Sequence, residues 1–316
     1  MEEYANEVAI ATARGLWRVD QTQPIAFDEK HVRGLALDNE SLYAIVGRHE
    51  VWSAPRQIIR DTDPERQGDA WKMLARLDEQ LWSLFPTQNE LLIGTEGAHL
   101  YRLAEGSSPV LDRSFEENPD RPNWLTPWGG PPAVRSMSMD AGDALYVNVH
   151  VGGIHKQESG GTSWNQLIDI DFDVHQVVCS QALLFAPGGK GFAQRPISST
   201  EGAETWEKTT SGLDFHYMRA VAVSDSTLLV SASDGPHGDR GAVYSRPLGS
   251  DEPFRKCCVG LPQWFGGNVD TFCLVADGPT VAIGSPGGYV FVSQDSGDVW
   301  TEVARDLPEI NAVALL

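Results

Sequence analysis

Six residues of this sequence have the side chains to bind and act on a charged small molecule. Arg33, Arg135 and Arg219 stay charged at any working pH, and their planar forks match pairs of carboxylate or phosphate oxygens. His150 and His175 exchange protons near neutrality, and Asp270 offers a carboxylate to orient one of them or to act as a second acid or base. Arg33, Arg135, His175, Arg219 and Asp270 share one place, the second residue of a short apolar strand that recurs along the chain. Trp82 and Asn311 fill that place in the two remaining copies. The column is polar in six of its seven copies, which a dry core face would not tolerate, so it points to a solvated channel. By strand alternation the following residues, Gly34, Ser83, Ser136, Gln176, Ala220, Thr271 and Ala312, face the other way and suit packing.

The strands that must position this column are VRGLALD (32–38), LWSLFPT (81–87), VRSMSMD (134–140), VHQVVCS (174–180), MRAVAVS (218–224), VDTFCLV (269–275) and INAVALL (310–316). All but the last are followed, after a tight turn, by a second apolar strand such as SLYAIVG or TLLVSAS. A third strand carrying an aromatic comes next, as in EVWSAP and YVFVSQ. Most units add a fourth, often opened by a tryptophan: Trp71, Trp164, Trp206 and Trp300. Antiparallel four-stranded units repeating every ~40–50 residues predict an all-β, seven-bladed β-propeller filling 1–316 as one domain. The last unit has only its first strand. EVAIATARG, GLWRVD and PIAFDEK near the start read as its strands two to four. Pairing of 310–316 with 7–15 is therefore expected to close the ring and hide two sheet edges.

Loops between second and third strands are expected at the same mouth as the column. They bring Arg14, Arg48, His49, Glu96, His150 with Asn148 before it, Lys190, and Asp234 within SDGPHGDRG. Two longer Pro/Gly-rich connections, NWLTPWGGPP (123–132) and GLPQWFGGN (260–268), carry Trp124, Trp128 and Trp264 as rim aromatics for a flat ligand. The expected binding set is Arg33, Arg135, Arg219, Asn148, Asn311, Trp82, Trp128, Asp234 and Trp264, and the expected catalytic set is His150, His175 and Asp270. His155 sits in the aromatic column of the third strands and reads as a packing imidazole. Asn148 and Asp173 are expected to fix the tautomers of the two mouth histidines. No cofactor is expected, because neither histidine sits in an H-x-x-H or H-E-x-x-H pattern. A divalent metal at the mouth would have to use His150 and His175.

The stretch SQDSGDVW (293–300) matches S-x-D-x-G-x-x-W, and degenerate copies stand at STEGAETW (199–206) and QESGGTSW (157–164). In this the chain resembles the BNR, or Asp-box, propellers of the sialidase-like superfamily. The motif itself reads as a structural hairpin: Ser and Asp bond backbone amides, Gly accepts φ > 0, and Trp pins the loop. Resemblance to sialidases would imply three arginines on a sugar carboxylate. The expected blade count and the lack of a matching Tyr/Glu pair argue against that reaction. Other seven-bladed propellers act as lyases, and some BNR-type members, such as photosystem assembly factors, hold a protein segment on an arginine patch.

The chain carries 44 acidic against 24 basic residues, a net charge of −20, which speaks against nucleic acid and anionic membranes as partners. Arginine outnumbers lysine 18 to 6, so a cluster of arginines runs against the background. No apolar run of ~18 residues is present, and the first residues carry acids where a secretory leader needs bases. Four cysteines without metal spacing fit reduced thiols in the cytoplasm. The functional expectation is an enzyme of lyase or hydrolase type on a small anionic molecule or glycan. Hydrolysis would draw a carboxylate pair from Asp270, Asp234 and Glu96. The alternative is a non-catalytic propeller holding an acidic peptide or protein.

Overall fold

Strands with alternating buried Val, Ile, Leu and Ala pair antiparallel into seven sheets in a computed structural model that describes residues 8–19, 21–61, 63–198 and 206–316. Each sheet is a blade, and consecutive inner strands touch all the way round the ring. Blade one joins the two ends of the chain. Its inner strand Ile310–Leu315 pairs with Val8–Thr12, which pairs with Gly15–Arg18. Its expected fourth strand, PIAFDEK, is reduced to a single bridge between Leu16 and Ala26. The inner strands of blades two to seven are Val32–Leu37, Leu81–Pro86, Ala133–Met139, Val178–Ser180, Tyr217–Ser224 and Leu274–Asp277. Blade two carries two short helices, Arg56–Ile59 and Pro64–Asp69, between its third and fourth strands. The fully buried Arg18 donates from Nη1 to the carbonyls of Ile59 and Asp61, both at 2.8 Å, and so anchors that insertion. Among the described residues no helix is long and apolar enough to cross a membrane.

Five of the seven inner strands share one irregularity, and it positions most of the site. Register shifts fall between Val32 and Gly34, Leu81 and Ser83, Val134 and Ser136, and Met218 and Val221. In blade one Ala312 and Ile310 oppose Ala11 and Thr12, with Asn311 passed over. Arg33, Trp82, Arg135 and Asn311 are thus the extra residues of β-bulges, and Arg219 lies within one. A bulge lifts one residue out of the ladder and re-aims its side chain. Blades five and seven reach the same end differently. His175 lies between the Val174–Gly188 bridge and the strand that starts at Val178. Asp270 opens a turn closed by Cys273 N–H to the Asp270 carbonyl at 2.9 Å.

Backbone groups at the bulges, and beside the irregular starts of blades five and seven, are bonded from the neighbouring blade. Ser83 Oγ donates to Val134 O at 2.7 Å, Val177 N–H to Ser136 Oγ at 2.9 Å, and Val221 N–H to Gln176 Oε1 at 2.9 Å. Ser231 Oγ donates to Val269 O at 2.8 Å, and Asn311 Nδ2 to Val32 O at 2.9 Å. The packing set therefore also stitches the seams, which satisfies polar groups that burial would otherwise penalise.

The 293–300 stretch is a closed turn between the third and fourth strands of blade seven. Ser293 Oγ donates to Asp295 Oδ1 at 2.7 Å, Val299 N–H to the same oxygen at 2.9 Å, and Trp300 Nε1 to Gly297 O at 2.9 Å. Gly297 has φ +96°, and Trp300 is buried in the core shared by blades six, seven and one. The copy at 199–206 lies outside the described residues apart from Trp206. In the 157–164 copy Gln157 pairs with Trp164 across the turn. His155 is fully buried between Phe115 and Trp124, with Nε2 on the Gly152 carbonyl at 3.0 Å, and serves packing.

Candidate functional site

The bulged column meets at one end of the channel in a cavity of about 280 Å³ whose lining includes Arg33, Trp82, Arg135, Arg219, Asp270 and Asn311. The three arginines do converge, but two of them are already spoken for. Arg135 Nη2 donates to Asp270 Oδ1 and Arg219 Nη1 to Asp270 Oδ2, both at 2.6 Å, while Thr271 N–H adds a bond to Oδ1 at 2.7 Å. Burial favours the neutral acid, yet the two guanidiniums and the amide win and hold the Asp270 carboxyl well below the usual range. Asp270 is held as a carboxylate counter-ion to both arginines, which speaks against the acid or base role expected of it. Thr271 fixes the same cluster from behind. Its hydroxyl lies 3.2 Å from Arg135 Nε and near the carbonyls of His175 and Arg219.

Arg33 differs. Its guanidinium lies over the Trp82 ring, Cζ 3.7 Å from the centroid, and makes no hydrogen bond or ion pair with any described residue. Burial, with repulsion from Arg48 and Arg135, lowers its pKa to about 10, so it remains charged at neutral pH. A charged fork held over an aromatic face, with its N–H edge open to the cavity and unpaired among the described residues, is a ready site for an oxyanion. Asn311 stands beside it, with Nδ2 committed to the Val32 carbonyl.

The two mouth histidines lie together between blades four and five, with ring centroids 5.4 Å apart. Asp173 sits between them, its Oδ1 3.6 Å from His150 Nε2 and its Oδ2 3.4 Å from His175 Nε2. His175 is wholly buried. Nδ1 contacts the Met218 carbonyl at 2.5 Å, and the Tyr217 hydroxyl is 3.2 Å from Nε2. A ring sealed on every side cannot itself receive a proton from a bound molecule, so its expected role as direct base is corrected. His150 is the reachable member, 15 % exposed, with Arg135 Nη1 at 3.5 Å and the exposed Trp128 ring at 5.3 Å. Burial, then repulsion from Arg135, lowers its pKa to about 3. It is neutral across the physiological range.

Three expected binding residues are elsewhere. Asn148 is fully buried in the blade four seam, with Nδ2 3.4 Å from Ser136 Oγ, because alternation turns it away from the channel. It fixes no histidine tautomer; Asp173 is the residue that approaches both rings. Asp234 is spent on its own loop, where it accepts Arg240 Nε at 2.9 Å and Arg240 N–H at 3.2 Å. Trp264 packs on Phe215 and under Lys256, whose Nζ is 3.0 Å from its ring centroid, on the outermost strand of blade six. Of the rim tryptophans Trp124 is buried and only Trp128 is open, at 63 %. Tyr217 and Asn268 were not anticipated. Tyr217 directly precedes Met218 and falls just outside the repeated strand. Asn268 lines the cavity, and its Nδ2 lies 3.2 Å from the Gly235 carbonyl.

No family model and no curated protein matches the chain. Solved structures do. YCF48 bound to D1 peptide is similar at 16 % identity and a TM-score of 0.55, covering 86 % of this chain and 81 % of that one. The Pan2 WD40 domain of Neurospora crassa gives 9 % and 0.56, with 88 % and 79 % covered. BamB from Moraxella catarrhalis gives 12 % and 0.53, with 96 % and 87 % covered. At such identities the likeness is one of fold alone, that of the β-propeller.

Proposed function

We propose that this chain is a binding propeller that captures a carboxylate- or phosphate-bearing group at its channel mouth, with Arg33 as the anchor. One observation carries the reading: the unpaired Arg33 guanidinium laid on Trp82 beside a small polar cavity. A cavity of this size suits a small anion or the carboxylate of a peptide side chain or chain end. The peptide on YCF48 supports the second source. The turn at 293–300 supports placing the chain among Asp-box propellers, and four free cysteines are in keeping with the cytoplasm. The net charge of −20 speaks against nucleic acid or anionic membrane as the ligand.

The test is a thermal-shift screen of carboxylates, phosphates and neutral analogues of the same size. A ligand at 100 times its Kd adds about 2.7 kcal/mol. Anions should stabilise the chain and Arg33→Ala should lose the effect. Equal stabilisation by neutral compounds, or full retention in Arg33→Ala, overturns the reading. An enzymatic reading, of lyase or hydrolase type, is favoured by one observation, the neutral and reachable His150 beside Asp173. It would run from that group, with Asp270 only steering the arginines.

A further inference from the structure

We infer that His150, Asp173 and His175 form a site for one divalent transition-metal ion, standing apart from the anion site at Arg33. The three ligand atoms, His150 Nε2, an Asp173 carboxylate oxygen and His175 Nε2, all lie within 4.8 Å of one another. Zn–N and Zn–O bonds of about 2.0–2.2 Å put tetrahedral ligands roughly 3.4 Å apart. The Asp173 oxygens already stand 3.6 and 3.4 Å from the two nitrogens, so small side-chain shifts close the shell.

The hydrogen-bond inventory points the same way. A neutral imidazole has one N–H, and a carbonyl only accepts. The 2.5 Å contact to Met218 O therefore places the His175 proton on Nδ1 and leaves Nε2 an acceptor, facing Asp173 Oδ2 at 3.4 Å with the Tyr217 hydroxyl at 3.2 Å. His150 Nε2 faces the Arg135 guanidinium, which only donates, so this nitrogen is also an acceptor. Asp173 Oδ1 is buried and has no hydrogen-bond partner. Two acceptor nitrogens and a buried carboxylate oxygen without a hydrogen-bond partner converge, and that oxygen is costly to leave without a cation or donor beside it. The Met218 carbonyl acts as the outer partner that fixes a ligating histidine, a usual companion of such sites. Arg135 is adjacent, but its charge is partly offset by Asp270, which it shares with Arg219. Mixed imidazole and carboxylate donors suit Zn²⁺ and its first-row neighbours over Mg²⁺ or Ca²⁺. An ion there would keep a coordination position open on the His150 side, under Trp128.

The test uses the full chain, free of any tag, stripped with a chelator and titrated calorimetrically with Zn²⁺ alone. One Zn²⁺ per chain should bind, and Co²⁺ should give visible bands of a low-coordinate centre. Asp173→Asn, which keeps the side-chain shape, and His150→Ala should each weaken Zn²⁺ by roughly 100-fold or more with an unchanged far-UV spectrum. Arg33→Ala should bind Zn²⁺ as the parent does, so failure of the anion reading leaves this one standing. No stoichiometric Zn²⁺ on the parent chain overturns the inference. So does undiminished binding in Asp173→Asn, which would place the ion elsewhere, as on the exposed Cys258. Should His150→Ala fail to fold, Asp173→Asn decides alone.

Discussion

Histidines kept neutral by burial tie the stability of this molecule to pH. His31, His150, His155 and His175 all have pKa values lowered chiefly by burial, to about 3 for His150 and about 4 for His155. Below about pH 6.5 the unfolded chain binds protons that the folded chain refuses, so stability is full above that value and falls as pH drops towards the folded values. The melting temperature should be flat from pH 7 to 8 and decline from about pH 6.5. Replacing His155 by Phe should shallow that decline; an unchanged slope would mean that its burial does not set its proton affinity. Asp270 gives a second residue-level prediction. It competes with any incoming anion for Arg135 and Arg219. Asp270→Asn should tighten anion binding in the thermal-shift screen while costing about 1–3 kcal/mol of stability, since two largely buried guanidiniums lose their counter-charge. The three arginines were legible in the sequence because they recur in one column. The pairing of two of them with Asp270 was not, because Arg135 and Asp270 are far apart in the chain and meet only across the ring.

At the scale of the element, the second strands and five of the inner strands were legible because their apolar alternation repeats. In blades five and seven the expected 174–180 and 269–275 are strand only over Val178–Ser180 and from Leu274, since irregular backbone in the one and a turn in the other take up their first residues. Outer strands left a weaker trace: those at Val110–Leu111 and Arg255–Lys256 are two residues long, and blade one replaces its own with a bridge. An outer strand is held from one side only, so little in its sequence is constrained. The helical insertion of blade two went unseen for a related reason, being too short to show a period. The Asp-box turn belongs to this scale. With Trp300 3 % exposed, Trp300→Ala should cost on the order of 3–5 kcal/mol in denaturant unfolding and leave ligand affinity unchanged. A stable variant that no longer binds would show that this turn serves the channel.

Across the whole molecule, ring closure rests on five residues of one terminus paired to the other, from Val8 opposite Leu315 to Thr12 opposite Ile310. Deleting 310–316 should bare the Val8–Thr12 edge of blade one and strip packing from blades two and seven, and the product should aggregate or lose its cooperative unfolding transition, as read by light scattering and circular dichroism. Soluble, cooperatively folding truncated chain would mean that blade one is dispensable. The bulges have a wider consequence. At Arg33, Trp82, Arg135 and Asn311 the side chain that meets the channel belongs to the one residue the ladder skips. Its identity is uncoupled from strand pairing, and the seams are sewn mainly by the residues around it. The ring thus behaves as a fixed typeface in which some letters, Arg33 and Trp82 among them, can be exchanged with little effect on the press, whereas Asp270, His175 and Asn311 are also bonded into it. Descendants of such a chain can change what they hold by single substitutions long before their architecture drifts.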